Sequence, residues 1–405
     1  MIEIIQKDKC TGCGACLNAC PKQAITMQFD EEGFEYPLIH QELCIDCGIC
    51  QKKCPSLHYD ETFKDKQETN TIQKGFAARN KDYKERIISS SGSIFAVIAH
   101  YVLEKGGIVV GVAYDQNFNA VYKIIENIDD LPKIQGSKYL QCKADVLTFK
   151  RIKDELKKGR KVLFTGLACQ VEGLQSFLGR EYDCLFCLDL ICMGIPSPMV
   201  WQMYLQTYFK GEKIKEINFK EKSEGWNHFN ILIRTNKQNF KQYGMINPYF
   251  KSMFNTYNMR KSCFVCPYKK IERLADITLG DCWGANALVP EIDDNKGLSS
   301  VIIHTEKGKK IWDSISLKID KVELPIEEII KGNLNMIENR NCDETKRKNF
   351  YELLNNGQSE KAFHFAEIDG VYPPSMIQRA YNKIKKYIGL YEHKSVFQTW
   401  TMADK

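Results

Sequence analysis

The strongest constraint on this chain is one short cysteine run that occurs twice near its start. CTGCGACLNACP (residues 10–21) and CIDCGICQKKCP (44–55) share the spacing Cys-x2-Cys-x2-Cys-x3-Cys-Pro. Three cysteines in so tight a loop wrap one face of an iron–sulfur cube, while the fourth lies too far along to close the same cube and closes its neighbour instead. The spacing therefore assigns Cys10, Cys13, Cys16 and Cys54 to one 4Fe-4S cluster, and Cys44, Cys47, Cys50 and Cys20 to a second. Pro21 and Pro55 lead the chain out of each turn, and Gly12, Gly14 and Gly48 let backbone amides approach the sulfurs. Zinc is the competing occupant, but it favours two separated cysteine pairs over a doubled run of four.

The remaining composition fits this reading. Seventeen cysteines in a reducing compartment point to ligation before disulfides. The formal charge of +6 counts every thiol as neutral, whereas four thiolates around each oxidised cube leave roughly −2 per cluster. Net charge is thus no argument for a nucleic-acid partner. The longest apolar stretches, SIFAVIAHYVL (93–103) and CLFCLDLICMGI (184–195), are too short to span a bilayer, and MIEIIQKDKCTGCG lacks the basic-then-apolar pattern of a secretory leader. A cytoplasmic protein with no integral membrane segment is expected.

Four regions follow along the chain. Residues 1–57 form a two-cluster ferredoxin domain of α+β type, with AITMQF and YPLI as short strands about a turn at EEG. Residues 58–74, poor in apolar side chains, read as a solvated linker. From residue 75 to 340 strands and helices alternate, predicting an α/β domain with a mixed sheet. Strands are expected near GFAAR, GIVVGVAY, KVLFTG, CLFCLDLI, FNILIRT and SSVIIHT, and helices near 93–105, 145–158, 169–178, 197–209 and 306–316. Residues 341–405 read as a helical C-terminal region. Its segment 375–393 carries Met376, Ala380, Ile384 and Tyr387 at helical spacing, which suits a helix docked on its own domain or a surface for a partner or membrane.

Three turns of the α/β domain are candidate ligand sites. SSSGS (89–93) precedes an apolar helix, so its hydroxyls and glycine either cradle a phosphate or simply cap the helix. GSKYLQC (136–142) offers a cation and an aromatic face in Lys138 and Tyr139. KVLFTGLACQVEGL (161–174) is a strand ending in a Thr-Gly turn that opens directly into a helix, the place where open α/β sheets bind ligands.

These segments, with LDLICMGIPSPMVW, GWNHF and CFVCPYKKIERLADITLGDCWG, occur in an order that resembles the coenzyme F420 hydrogenase/dehydrogenase beta subunit family, in its bacterial branch with an N-terminal two-cluster ferredoxin domain. The resemblance covers roughly residues 1–320. It implies a flavin-binding α/β domain in which FAD is contacted by Ser89, Ser90, Ser91 and Gly92, by Gly136, Ser137, Lys138, Tyr139 and Gln141, and by Gly166 and Gln170. Five positions depart from the family pattern: Ser93 replaces a glycine, Leu167-Ala168 a Thr-Pro, Cys142 a serine and Met193 a histidine.

The resemblance also implies a third 4Fe-4S cluster beside the flavin. Cys169 and Cys192 lie at the ends of strands KVLFTG and CLFCLDLI; if those strands are parallel neighbours, both thiols open onto one rim, and Cys263 and Cys266 need only fold over it. Zinc at Cys263 and Cys266 is the alternative, and Cys282 is the reserve ligand. Cys184 and Cys187, three apart along a strand, face opposite sides and read as core thiols; Cys142 and Cys342 are further competitors. His228 in GWNHF is a structural histidine or an acid, and no general acid is assigned. The functional expectation is an iron–sulfur flavoprotein oxidoreductase exchanging electron pairs with a small-molecule substrate or with F420 as co-substrate. Its clusters would relay single electrons to or from a ferredoxin or other redox carrier, and family context includes surface-polysaccharide biosynthesis. The rival is an electron-transfer subunit docked on a catalytic partner.

Overall fold

The computed structural model describes residues 4–59 and 72–369; the expected helix at 375–393 lies outside them. In the N-terminal module, strands β1 (Ile25–Phe29) and β2 (Glu35–Ile39) pair antiparallel, with Ile25 opposite Ile39. The Asp30 carboxylate closes their turn by accepting from the amides of Glu32 and Phe34. Each cysteine run opens a short helix, α1 (Ala15–Ala19) and α2 (Ile49–Lys52), entered through a left-handed glycine, Gly14 or Gly48.

The large sheet has eight strands: β3 (Lys74–Asn80), β4 (Ile108–Tyr114), β5 (Ala120–Ile125), β6 (Val162–Leu167), β7 (Leu185–Leu190), β11 (Ile277–Asp281), β12 (Ser299–Ile303) and β13 (Ile319–Leu324), in the order β13-β3-β12-β11-β7-β6-β4-β5. Its centre, β4-β6-β7-β11, is parallel, and the flanking strands pair antiparallel, so the sheet is mixed. The central strands are apolar on both faces because helices cover both. On one face Ala96, Val97, Ile98 and Val102 of α3 (Ile94–Glu104) pack with Val109, Leu163 and Leu188. On the other, Phe149 and Ile152 of α4 (Thr148–Lys157) and Val171 and Leu174 of α5 (Ala168–Leu178) pack with Val110, Phe164 and Cys187. Successive strand residues alternate between these layers, as the pleat requires.

One sequence expectation needs correcting. FNILIRT is not in the large sheet: β9 (Asn230–Thr235) is the middle of a separate antiparallel sheet with β8 (Ile214–Glu221) and β10 (Asn239–Tyr243). The described helices beyond residue 341 dock on the rest of the chain. Trp201 and Tyr204 of α6 (Pro198–Tyr208) and Tyr249 and Phe250 of α7 (Pro248–Phe254) build an aromatic core with Phe219. Phe350, Tyr351 and Leu354 of α8 (Glu344–Asn355) and Ala362, Phe363 and Ala366 of α9 (Ser359–Ile368) share it. Arg347 on α8 also reaches back to the N-terminal hairpin, where it is paired with Glu32 at 2.5 Å and donates to the carbonyl of Tyr257 at 2.9 Å. Among the described residues, no helix is long and apolar enough to cross a membrane.

Candidate iron–sulfur and flavin site

The two cysteine runs make two separate cavities, and the fourth cysteine of each run crosses to the other. One cavity is lined by Cys10, Cys13, Cys16 and Cys54, the second by Cys20, Cys44, Cys47 and Cys50. The crossing has a local cause: Cys20 is the C-cap of α1 and leaves the helix in extended conformation, and Cys54, one residue beyond the C-cap of α2, is extended too. The inner set is deeply desolvated. Burial pushes Cys13 up to about 12 and Cys54 to about 11, and mutual repulsion among the four adds to both shifts. Amides of Ala15, Leu17 and Leu57 oppose that rise by donating to Cys13, Cys16 and Cys54. The outer set lies nearer solvent: Cys47 is exposed, as are Leu43 and Ile45 just before it.

A third cavity opens on the carboxyl rim of the parallel sheet. Strands β6 and β7 are parallel neighbours with Leu167 opposite Leu190, so Cys169 and Cys192, each two residues beyond its strand end, emerge side by side. Residues 195–197 then pair with 258–260 through Arg260 N to Ile195 O and Ser197 N to Asn258 O, both 2.9 Å. This pairing brings the 3-10 turn Lys261–Val265 over the rim, and Cys169, Cys192, Cys263 and Cys266 line one cavity.

The donor chemistry suits a thiolate-held cluster. Burial raises all four thiols, Cys263 to about 12, but the amides of Ile195, Gly194 and Tyr268 donate to Cys263, Cys192 and Cys266. The cations Lys269 and Arg273 favour the thiolates of Cys192 and Cys266. Lys269 is anchored by the carbonyls of Cys192 and Asn335. Among the described residues no three His, Cys, Asp or Glu side chains gather closely enough for a single ion. Four thiols spread around one cavity match a cube, whose ligands sit on different irons, better than a zinc ion with every sulfur at about 2.3 Å.

The other cysteines lie elsewhere. Cys282 is buried beside Trp226 and Ala285, and Cys142 sits in the aromatic core. Cys187 and Cys184 pack on the same layer. The opposite-face argument failed for this pair because Cys184 precedes the first residue of β7. Cys342 is half-buried, with its thiol toward Thr256 O at 4.0 Å.

The third and inner cavities are neighbours. Helix α5 starts beside Cys169, and one turn later the glycine at 173 is pressed on Cys13, so closely that a Cβ there would stand 2.7 Å from Cys13 Cβ and 2.9 Å from its Sγ. Four helical residues advance about 6 Å. Thr11, between Cys10 and Cys13 of the inner cavity, also lines the third cavity.

Comparison with known proteins bears on both modules. Residues 159–329 match the model for the C terminus of the beta subunit of coenzyme F420 hydrogenase/dehydrogenase, a span containing all four cysteines of the third cavity. Residues 9–57 match a 4Fe-4S dicluster domain. In both modules the chain is thus similar to proteins of the coenzyme F420 hydrogenase/dehydrogenase beta subunit family. It is 28% identical over 325 residues to the coenzyme F420-dependent sulfite reductase of Methanocaldococcus jannaschii, a match covering 78% of this chain and 47% of that protein. The chain thus spans about half the length of this curated relative. It is also similar, at 17% identity and TM-score 0.43, to a chain of the F420-reducing [NiFe] hydrogenase complex from Methanosarcina barkeri, over 81% of this chain and 95% of that one. These matches carry no link to polysaccharide biosynthesis.

The flavin segments expected for this family meet only in part. Ser90 Oγ accepts from the amide and hydroxyl of Ser137 at 2.7 and 2.8 Å, which joins the first two turns. Ser89 donates to Glu85 O and Ser91 to Leu298 O, while the Gly92 amide is taken by Ser299 Oγ at 3.0 Å. Ser93 heads α3 with φ +66° and no side-chain cap bond. A left-handed backbone is one that glycine adopts without strain, which fits the glycine that the resemblance leads one to expect at this position. Gly136 is also left-handed, with open space around it. Lys138 donates to Gln135 O and Gly136 O, and burial lowers it to about 7.

Tyr139 packs edge-on against Phe219 and Phe250. Gln141 is turned toward the ferredoxin module, accepting from Arg260 at 3.2 Å and from the Glu35 amide at 3.4 Å. Gly166 packs on Gln170, whose side chain accepts from Leu167 N at 2.8 Å and caps α5. Around this rim the Tyr114 hydroxyl, the Gln135 amide, the Thr165 hydroxyl and Nε and Nη1 of Arg86 are buried without hydrogen-bond partners among the described residues. Such orphaned polar atoms suit a polar ligand such as FAD.

Sequence reasoning missed several groups here. Lys220 is buried on the faces of Phe229 and Trp283 and paired with Asp281 at 3.0 Å, and Lys222 donates to Arg86 O, Ser91 O and Lys296 O. Their segment, FKEKSEG, reads as an ordinary charged surface, so no local signal marks them. His228 is exposed, stacked on Tyr243 and paired with Glu224 at 3.4 Å, away from the cavities. Asp276 holds the Cys187 amide and Thr305, a structural role.

Proposed function

We propose that the chain is an iron–sulfur flavoprotein oxidoreductase with three 4Fe-4S clusters held by the three four-cysteine cavities, and with FAD on the carboxyl rim of the parallel sheet. When bound, FAD exchanges an electron pair with a substrate or a deazaflavin-type carrier such as F420, and the clusters pass electrons singly. Ser90, Ser137 and the orphaned Arg86 and Gln135 groups hold the cofactor's polar parts, and Lys138 offers positive charge near it. Lys220 and Asp281 stiffen the aromatic wall. Cys169, Cys192, Cys263 and Cys266 hold the third cluster, Cys10, Cys13, Cys16 and Cys54 the inner one, and Cys20, Cys44, Cys47 and Cys50 the outer one. The observation that carries this reading is the single helical turn between the third and inner cavities, Cys169 at one end and Cys13 against the other.

Anaerobic purification with iron, sulfide and FAD measured per chain tests it. About twelve irons and one FAD are expected. About eight irons with flavin removes the third cluster, and a preparation without flavin removes the flavin site.

A second reading, an electron-transfer subunit without its own substrate, is favoured by the outer cavity, where exposed Cys47 follows exposed Leu43 and Ile45 along the chain, a surface suited to a protein electron carrier. Reduction of the clusters by F420H2 in the absence of any other substrate, together with co-purification of a stable partner, would select it.

A further inference from the structure

Arg260 is fully buried at 0% exposure, at the seam between the ferredoxin module and the α/β domain. Its Nε donates to the carbonyl of Cys10 at 2.6 Å and its Nη1 to Gln141 Oε1 at 3.2 Å. The guanidinium lies over Tyr36 at 4.1 Å and Phe34 at 5.7 Å, and Nη2 is buried without a hydrogen-bond partner among the described residues. Its own carbonyl accepts from the amide of Cys263 at 2.9 Å. One residue therefore touches the backbone of a cysteine of each cavity, its guanidinium at Cys10 of the inner one and its carbonyl at Cys263 of the third. Gly12, between Cys10 and Cys13, is moulded on it: a Cβ there would meet Nη1 at 3.2 Å and Cζ at 3.3 Å.

A buried charge needs compensation. No carboxylate is ion-paired with Arg260 among the described residues. Glu35 is close enough to feel the cation, but it accepts from the Ala144 amide and burial raises its carboxyl. The compensation available is the anionic cluster itself, which goes from roughly −2 to −3 on reduction. A guanidinium stays protonated throughout, so the step is the bare transfer of one electron from the third centre to the inner one.

Resting on the cluster assignment above, we infer that Arg260 is a positioning residue that raises the reduction potential of the inner cluster held by Cys10, Cys13, Cys16 and Cys54, drawing electrons across the seam from the Cys263 side. The test is a redox titration of the anaerobic full-length protein followed by electron paramagnetic resonance, on the wild type, R260K, R260Q and Q141E, with iron measured for each. R260Q keeps a donor for Cys10 O but loses the charge. Its equilibrium constant for reducing the inner cluster should fall on the order of tenfold, a downward shift of about 59 mV for one electron. R260K should restore most of the wild-type value. Q141E sets a carboxylate on the guanidinium and should shift the inner potential the same way, which keeps the test available if R260Q loses iron. The outer cluster of Cys20, Cys44, Cys47 and Cys50 should hold its potential in every variant.

An unmoved inner potential in iron-replete R260Q or Q141E overturns the inference, and so does an equal shift of all centres, which is general loosening. Wild-type protein with fewer than about eight irons refutes the cluster assignment itself and takes this inference with it.

Discussion

Gly173→Ala sets two physical effects of opposite sign against each other. In a helix interior alanine is better than glycine by about 1 kcal/mol, so helix propensity alone predicts a stabilised α5. The structure predicts the reverse, because the new methyl would stand 2.7 Å from Cys13 Cβ and 2.9 Å from its Sγ. Carbon contacts are optimal at about 3.5–4.0 Å, so Cys13 or the helix must retreat by about 1 Å. Overpacking of this kind costs about 1–3 kcal/mol, and ligand constellations tolerate only about 0.5 Å of displacement. The substitution should therefore lower stability by up to about 2 kcal/mol net and, more tellingly, loosen the inner cluster. Iron per chain, the electron paramagnetic resonance signal of the inner centre and thermal unfolding under anaerobic conditions read both effects. Gly173→Ala protein with full iron, an unchanged signal and a raised melting temperature would refute the close packing of α5 on Cys13.

Cys263→Ser should lower the iron content by about four per chain while leaving the dicluster signals in place; an unchanged count sinks the third cluster. Glu32→Gln uncouples the buried Arg347 guanidinium, 1% exposed, from its carboxylate, and should cost about 3–5 kcal/mol in denaturant unfolding. A loss below about 1 kcal/mol would mean that the pair does not join α8 to the hairpin. A third expectation concerns acid. Thr278 Oγ1 bridges buried Asp189 and His304, at 2.5 and 2.8 Å. Burial holds His304 down at about 3 and Asp189 up at about 6. Between pH 4 and 6 the unfolded chain carries an extra proton on His304 and the folded chain one on Asp189, so their contributions to the pH slope cancel. Asp189→Asn removes one side of that balance. The protein should then lose about 1 kcal/mol more than wild type as pH falls from 6 to 5, and parallel slopes in the two proteins would contradict it.

Much of the fold was legible because its signals are local. The glycine-led cysteine runs, the apolar runs of β4, β6 and β7 and the helices between them are set by spacing and period within a few residues. FNILIRT shows the limit: its alternation marks a strand but not which sheet takes it, since that depends on partners β8 and β10 on either side. The sorting of the five competing cysteines was only partly legible. Cys282 could be set apart from the third cavity only once β11 and the core beneath it were placed, and Cys184 took the wrong face through a one-residue error in where β7 begins. Lys220, Lys222 and Arg260 were invisible, because a lysine or arginine reads as solvated until the fold buries it.

By itself the sequence determined the chemistry of the N-terminal module. Eight cysteines at that doubled spacing set what they can hold before any long-range contact is known, since each run brings three thiols within a few residues of one another to wrap one face of a cube. Only the tertiary structure decided that Cys169, Cys192, Cys263 and Cys266 share a cavity, that one turn of α5 separates it from Cys13, and that Arg260 stands between them. Those relations join residues as far apart as Cys10 and Arg260, and parallel strand pairing and burial, which no local pattern encodes, bring them together.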